Sequence, residues 1–316
     1  MKIAMKKRFQ KLCVLFLAVL CVGGLIGMTS VAKAEETSLQ WVQKPTKVKA
    51  GKKVQFTVNE TGAVTWTISN TKYASVDENG CVTGKRVGKV VLTAQAGEEK
   101  IQTTIRVKGK KKIALDAGHQ LRGDSRTEPV GPGASTRKAR VAGGATGVAS
   151  GVPEYKFTLS VAKKLKAELL NRGYEVYMVR SKNNVNISNK KRAQLANKSG
   201  SDIYIRIHGD SIGSSSVRGA SAFYPSTRNP YVSRLSKSSK RLTNKVLNAY
   251  CKKTGIRKRG SSARDDLTGT NWSKIPVTLI ECGFLSNPTE DRKMQNSAFQ
   301  KKMAKGIANG IDAYFR

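Results

Sequence analysis

Only two histidines occur in the 316 residues, and each closes a short apolar run with the character of a β-strand. His119 ends Ile-Ala-Leu-Asp-Ala-Gly-His, and His208 ends Ile-Tyr-Ile-Arg-Ile-His. Imidazole is the commonest protein ligand for metals at neutral pH. A chain that otherwise avoids histidine but keeps it at two strand ends points to a metal site. Two imidazoles do not complete one. Glu154 offers a third ligand, because it begins a helical period in which positions 157, 161, 165 and 169 are Phe, Val, Leu and Leu. An acid heading an apolar stripe is costly to bury unless its charge is compensated. A helix N-terminus compensates a little and a divalent cation far more; the bland alternative is a surface acid favouring the helix dipole.

His119, Glu154 and His208 together make a His₂Glu set, one of the recurrent catalytic zinc arrangements. Hydrolysis at such a site needs a proton acceptor. Glu281 fills that role on paper, since it ends the apolar run Pro276-Val-Thr-Leu-Ile-Glu281. Burial there raises a carboxyl pKa unless a partner offsets it; a salt bridge to one of the many basic residues is the alternative. Asp116 could orient an imidazole from behind or simply stabilise the turn before His119. Asp210, two residues past His208, is a rival ligand. Cys282 should face the opposite side of its strand from Glu281 and is not assigned as a nucleophile.

These residues must be positioned by alternating strands and helices. From 113 onward strands are expected at 113–117, 174–179, 202–208, 219–224 and 276–281, with helices at 153–171, 187–198, 229–253 and 290–314. That alternation predicts an α/β domain with a mostly parallel twisted sheet flanked by helices. Ligands in open α/β sheets bind at the carboxyl ends of strands, where both histidines fall. The stretch 120–151 is rich in glycine and too long for an ordinary connection, which marks a functional or mobile loop. With the Asn271-Trp272 region it could frame a groove, and Trp272 suits either core or a substrate platform. Before all this, residues 38–108 show short alternating strands such as Val54–Val58 and Val64–Ile68, separated by turn signals, which argues a small β-sandwich. The segment Lys108-Gly-Lys-Lys-Lys112 reads as a basic linker into the second domain.

Residues 1–34 have a basic start, an apolar stretch from Leu12 to Met28 and a small-x-small site at Ala32-Lys33-Ala34, the features of a secretory signal peptide. The protein is therefore expected to be exported, secreted or wall-associated, and to meet a membrane only during export. The net charge is +37, and +31 without residues 1–34. Such a field favours a polyanionic partner; outside a cell these are anionic wall polymers or lipid headgroups, and nucleic acid is not expected. Cys81, Cys251 and Cys282 have no spacing that marks a disulfide framework or zinc knuckle, so buried free thiols are expected.

Two resemblances are specific. Trp66, Ser69-Asn70, Ala74-Ser-Val-Asp77, Asn79-Gly80, Val82, Gly84, Gly88 and Leu92-Thr-Ala94 resemble the group 2 bacterial immunoglobulin-like domain, a module for spacing or adhesion. Leu115-Asp-Ala-Gly-His119, Glu154, Ile207-His208 and Ile280-Glu-Cys-Gly-Phe-Leu-Ser-Asn287 resemble the type 3 catalytic domain of zinc-dependent N-acetylmuramoyl-L-alanine amidases. Arg180 and the Arg192 to Asn197 stretch support the match over roughly 112–316. Ala117 stands where that family usually has proline, Gln120 where glycine is frequent, and Asp210 where asparagine is common. The resemblance implies one catalytic Zn²⁺ on His119, Glu154 and His208, Glu281 as catalytic acid/base, and peptidoglycan as substrate. The bond cut would be the amide between the lactyl group of N-acetylmuramic acid and L-alanine. The rival readings are a zinc peptidase cutting within the stem peptide and a non-catalytic wall-binding protein.

Overall fold

The computed structural model describes residues 38–316, so the signal-peptide reading of 1–34 lies outside the described residues. The first module is built mainly from two small sheets, with Trp41–Gln43 and Thr57–Val58 pairing as a third, two-stranded one. One orders Lys47–Lys49, Glu99–Lys108, Gly88–Ala96 and Thr65–Ile68; the other orders Lys53–Gln55, Cys81–Gly84 and Ala74–Val76. Alternation puts Phe56, Val82, Leu92 and Ile105 fully inside. The segment 109–111 after this module is not a loose tether. Gly109 N donates to Glu175 Oε1 at 3.0 Å, and Lys110 and Lys111 pair with Asp312 and Asp202.

The second module is built on a six-stranded sheet. Its strands are β1 (Lys112–Ala117), β4 (Glu175–Met178), β5 (Ile203–Asp210), β6 (Ala220–Tyr224), β7 (Lys258–Ala263) and β8 (Val277–Phe284), with β2 (Asp124–Pro129) and β3 (Arg137–Val141) forming a separate hairpin. The spatial order is β4-β1-β5-β8-β6-β7. All neighbours are parallel except β6 and β8, as the mostly parallel expectation had it. The helices are α1 (Glu154–Asn171), α2 (Asn189–Lys198), α3 (Ser236–Thr254), α4 (Thr268–Asn271), α5 (Pro288–Gln295) and α6 (Ser297–Phe315).

Strand alternation divides the sheet into two faces. Ile203, Ile205, Ile207, Ile280 and Cys282 point into a core shared with α1, α3 and α6, where Phe157, Val161, Leu165 and Leu169 fill one continuous stripe. Tyr204 and Val277 pack instead under α2, with Ala193 and Ala196. Farther along that second face come Arg206, Leu279, His208 and Glu281, and there the apolar packing gives way to polar groups.

Three local expectations are corrected. The stretch 120–151 is not an irregular loop throughout, because it carries the β2–β3 hairpin. The helix expected at 290–314 is two helices. Asn296 ends α5 and caps α6, its side chain accepting from Phe299 N, so the backbone turns where a continuous helix was expected. The helix expected at 229–253 begins at Ser236, behind a single 3₁₀ turn. Strand β7, Lys-Arg-Gly-Ser-Ser-Ala, was not anticipated: it is a polar edge strand, with no apolar alternation to announce it.

Candidate metal centre

Glu154 enters the site because the chain turns sharply before α1. Pro153 is the N-cap, and Glu154 N donates to Ala145 O at 2.8 Å, which directs the first helical side chain inward. Its Oε2 lies 3.1 Å from His119 Nε2 and its Oε1 lies 3.1 Å from His208 Nδ1. His119 Nε2 and His208 Nδ1 are 3.2 Å apart. Backbone donors fix the same carboxylate, Ala145 N on Oε2 at 3.1 Å and Gly209 N on Oε1 at 3.0 Å. Thus three ligand atoms from a β1 loop, a helix start and the end of β5 converge.

The tautomer of His119 decides what this convergence can hold. Its Nδ1 lies 2.8 Å from Ala142 O, which can only accept, so Nδ1 carries the proton. The neutral ring then turns a lone pair from Nε2 toward the Glu154 carboxylate and toward His208. Lone pairs this close repel unless a proton or a metal cation lies between them. Ligands held tetrahedrally about 2.0–2.1 Å from zinc lie roughly 3.3 Å from one another, close to the spacings found. Among the described residues this trio is the one group of His, Cys, Asp and Glu side chains placed to hold a metal.

Burial works against charge on His119, but its hydrogen bond and attraction to Glu154 outweigh that and raise its pKa. At His208 burial dominates and brings the pKa down to about 4, which keeps the ring neutral and free to coordinate. Burial also opposes ionisation of Glu154, yet hydrogen bonds and attraction from the two histidines hold it well below the usual carboxylate range.

Glu281 sits directly beside His208 in the parallel register of β5 and β8. Its Oε2 and His208 Nε2 are buried and without hydrogen-bond partners among the described residues. Burial first, then the charges of Glu154 and Asp210, push the Glu281 pKa far above the ordinary range. No salt bridge forms at Glu281 among the described residues, so the salt-bridge alternative drops away. Asp210 is not part of the converging trio; its carboxylate accepts from Ser211 N at 2.8 Å. Cys282 faces the apolar core, fully buried, as its strand parity requires.

Of the two roles expected of Asp116, orienting an imidazole is absent, and stabilising the turn before His119 is exercised through Arg192, which also holds Ala117 O and His119 O. Asp116 itself touches no imidazole. Fully buried, it accepts from Arg192 Nη1 at 2.6 Å, Tyr204 OH at 2.8 Å and Arg206 Nε at 3.2 Å. Arg192 spends its other donors on Ala117 O, His119 O, Ile187 O and Gln120 Oε1. Arg180 holds Ala117 O, Gly118 O, Tyr155 O and Thr158 Oγ1 from the other side. The two guanidiniums thereby fix the loop in which His119 adopts φ +58°, the one left-handed non-glycine among the described residues. Gln120 makes the loop work without glycine, because its buried Oε1 also accepts from Ile187 N at 2.9 Å.

Sequence reasoning missed Gly118. A Cβ there would lie 2.3 Å from the His208 ring, so only glycine lets that ring reach the trio. Gly144, at φ +85°, has the same duty toward His119 and Glu154. Arg206 was also missed; it hydrogen-bonds Asn189 and lines a cleft with His119, His208, Lys138, Leu279 and Gly269. Trp272 is not on that cleft. Its indole donates to Pro129 O at 3.0 Å and Lys190 lies 4.3 Å over the ring, so it braces the hairpin against α4. Cys81, Cys251 and Cys282 are free, but only Cys282 is fully buried.

Residues 113–313 match the family model for N-acetylmuramoyl-L-alanine amidase, nearly two thirds of the chain. The chain belongs to this amidase family. Residues 30–107 match the group 2 bacterial Ig-like domain. The N-acetylmuramoyl-L-alanine amidase LytC of Bacillus subtilis is 26% identical over 169 residues, 54% of this chain and 32% of that protein. AmiA of Salmonella typhimurium is 27% identical over 203 residues, 52% of this chain and 70% of the relative. This chain thus spans about a third of the length of LytC. Among solved structures, the amidase Ami1 of Mycobacterium smegmatis superposes with a TM-score of 0.59 at 26% identity, over 65% of this chain and 97% of that one. Its counterpart from Mycobacterium abscessus gives 0.60 at 25% identity, over 66% and 100%. The family match over 113–313 coincides with the second module, so the family likeness and the converging trio fall on the same residues.

Proposed function

We propose that this amidase-family chain is an exported, wall-associated zinc enzyme that cleaves the N-acetylmuramoyl–L-alanine amide of peptidoglycan. In this reading residues 1–34 are a signal peptide, 38–108 an Ig-like spacer and 112–316 the catalytic domain. The observation that carries the reading is the mutual approach of His119 Nε2, Glu154 and His208 Nδ1 to within 3.1–3.2 Å, beside an unpartnered Glu281 Oε2. His119, Glu154 and His208 would hold one Zn²⁺, which supplies Lewis-acid polarisation of a carbonyl and acidifies water toward a pKa of about 7.

The remaining chemistry belongs to the chain. Glu281 Oε2 takes the proton of the attacking water and returns it to the leaving L-alanine nitrogen; a raised pKa suits a group that must both accept and donate. The Ala142 carbonyl holds the His119 ring in the ligating tautomer. Arg180 and Arg192 keep the His119 loop from relaxing, and Gly118 gives His208 its room. A relative named as a probable cell wall amidase, LytH of Staphylococcus aureus, is 25% identical over 179 residues and supports the wall setting. The test is digestion of purified peptidoglycan with product analysis. New L-alanine amino ends support the proposal. New diamino-acid or D-alanine ends make the protein a stem-peptide peptidase, and binding without new ends makes it a wall-binding protein.

A further inference from the structure

From Ser211 to Arg264 the sequence runs 54 residues with thirteen Lys and Arg and no Asp or Glu. All thirteen side chains are exposed. Only Arg264 forms an ion pair, with Asp266, among the described residues. A stretch of this composition could fold with its charges scattered. Instead eight of the thirteen lie on α3 and the edge strand β7, joined by Ser261 Oγ donating to Asn244 Oδ1 at 2.6 Å. Lys237, Lys240, Lys245 and Lys252 lie on the outward side of α3, whose inner side packs Leu242, Val246, Leu247 and Tyr250 into the core; Lys253 and Arg241 are exposed beside α6, Arg241 Nη1 donating to Tyr314 O at 2.8 Å. Lys258 and Arg259 continue the charge along the sheet edge.

We propose that this α3–β7 face docks a linear phosphodiester polymer of the cell wall and so anchors the enzyme beside its insoluble substrate. Uncompensated cations along a helix about 28 Å long create a strip of positive potential suited to a linear polyanion. The arginines add planar donors that match phosphate oxygens. A membrane surface fits less well. The exposed side of α3 holds only Ser, Lys, Arg and Asn as its large groups, and the exposed large apolar residues Val42, Leu121, Val148 and Ile212 all lie off α3 and β7. An interfacial helix needs an apolar face to insert. Because α3 packs on the sheet face opposite His208 and Glu281, a polymer held there leaves the cleft open. The inference rests on the wall setting proposed above but not on hydrolysis.

The test uses the full chain with six exposed cations on this face neutralised (K237Q, K240Q, K245Q, K252Q, K258Q, R259Q). A control of equal charge change places six substitutions on the first module (K44Q, K47Q, K49Q, K52Q, K89Q, K100Q). Binding is measured to soluble poly(glycerol phosphate), to walls with and without their phosphodiester polymers, and to vesicles containing anionic lipid. The face variant should bind poly(glycerol phosphate) at least tenfold more weakly at about 0.1 M salt. Its log–log salt slope should fall by about 0.7 per lost contact, as for flexible polyphosphodiesters. The control should stay near wild type, and both should hydrolyse a soluble muropeptide fragment normally. That fragment assay separates loss of docking from failure of the hydrolytic reading. Equal losses in both variants, undiminished binding to stripped walls, or tight binding to vesicles alone would each overturn the proposal.

Discussion

Asp116→Ala should destabilise the second module by about 3–4 kcal/mol. Asp116 is fully buried and compensates two guanidiniums, with Arg192 at 2.6 Å and Arg206 at 3.2 Å. Removing one partner of a buried ion pair typically costs about 3–5 kcal/mol, because the charge left behind stays desolvated. Here Arg192 keeps four oxygen acceptors, which softens the loss, whereas Arg206 is left with Asn189 Oδ1 and the Tyr204 side chain. The lower part of the range follows. Every α-helix among the described residues lies in the second module, so guanidinium unfolding followed by helical circular dichroism reads that module directly. The sign of the pH dependence is also fixed. Burial opposes ionisation, but Arg192, Arg206 and Tyr204 outweigh it and hold the Asp116 pKa well below the usual range. Its contribution is therefore fully present above the unfolded carboxyl pKa of about 3.9 and lost as pH falls through the folded value. The gap between wild type and variant should be flat near neutrality and shrink below about pH 4. A loss under 1 kcal/mol, or a gap that widens on acidification, would refute the argument.

Three further outcomes are expected. Glu281→Gln should retain zinc by metal analysis while hydrolysis falls at least about a hundredfold, the range general acid–base catalysis supplies; normal turnover would remove Glu281 from the reaction. Gly118→Ala should leave the fold intact but weaken zinc binding about tenfold or more by calorimetry, since the new Cβ would sit 2.3 Å from the His208 ring. Leu165→Ala, at a fully buried position on the α1 stripe, should lower stability by about 2–5 kcal/mol with zinc affinity unchanged.

The parts of this protein that were legible in its sequence are those governed by period and strand ends. The apolar spacing from Phe157 to Leu169 placed α1 and turned Glu154 inward, and the runs ending near His119, His208 and Glu281 placed all three on one edge of a sheet. Polar elements were hidden. Strand β7 has no apolar alternation, and the hairpin β2–β3 reads as loop because it packs little apolar surface. The partners of Asp116 were unreadable for another reason. Its partners Arg192, Tyr204 and Arg206 lie 76 to 90 residues away, and strand parity alone does not say which buried groups meet. Gly118 escaped because its requirement comes from a ring on a different strand.

Crystals of the zinc-loaded protein examined at the zinc absorption edge test the core assignment most directly. A single anomalous peak about 2 Å from His119 Nε2, His208 Nδ1 and a Glu154 carboxylate oxygen is the expected result. A strong peak held by other residues, with those three side chains unmoved and bare, would contradict it.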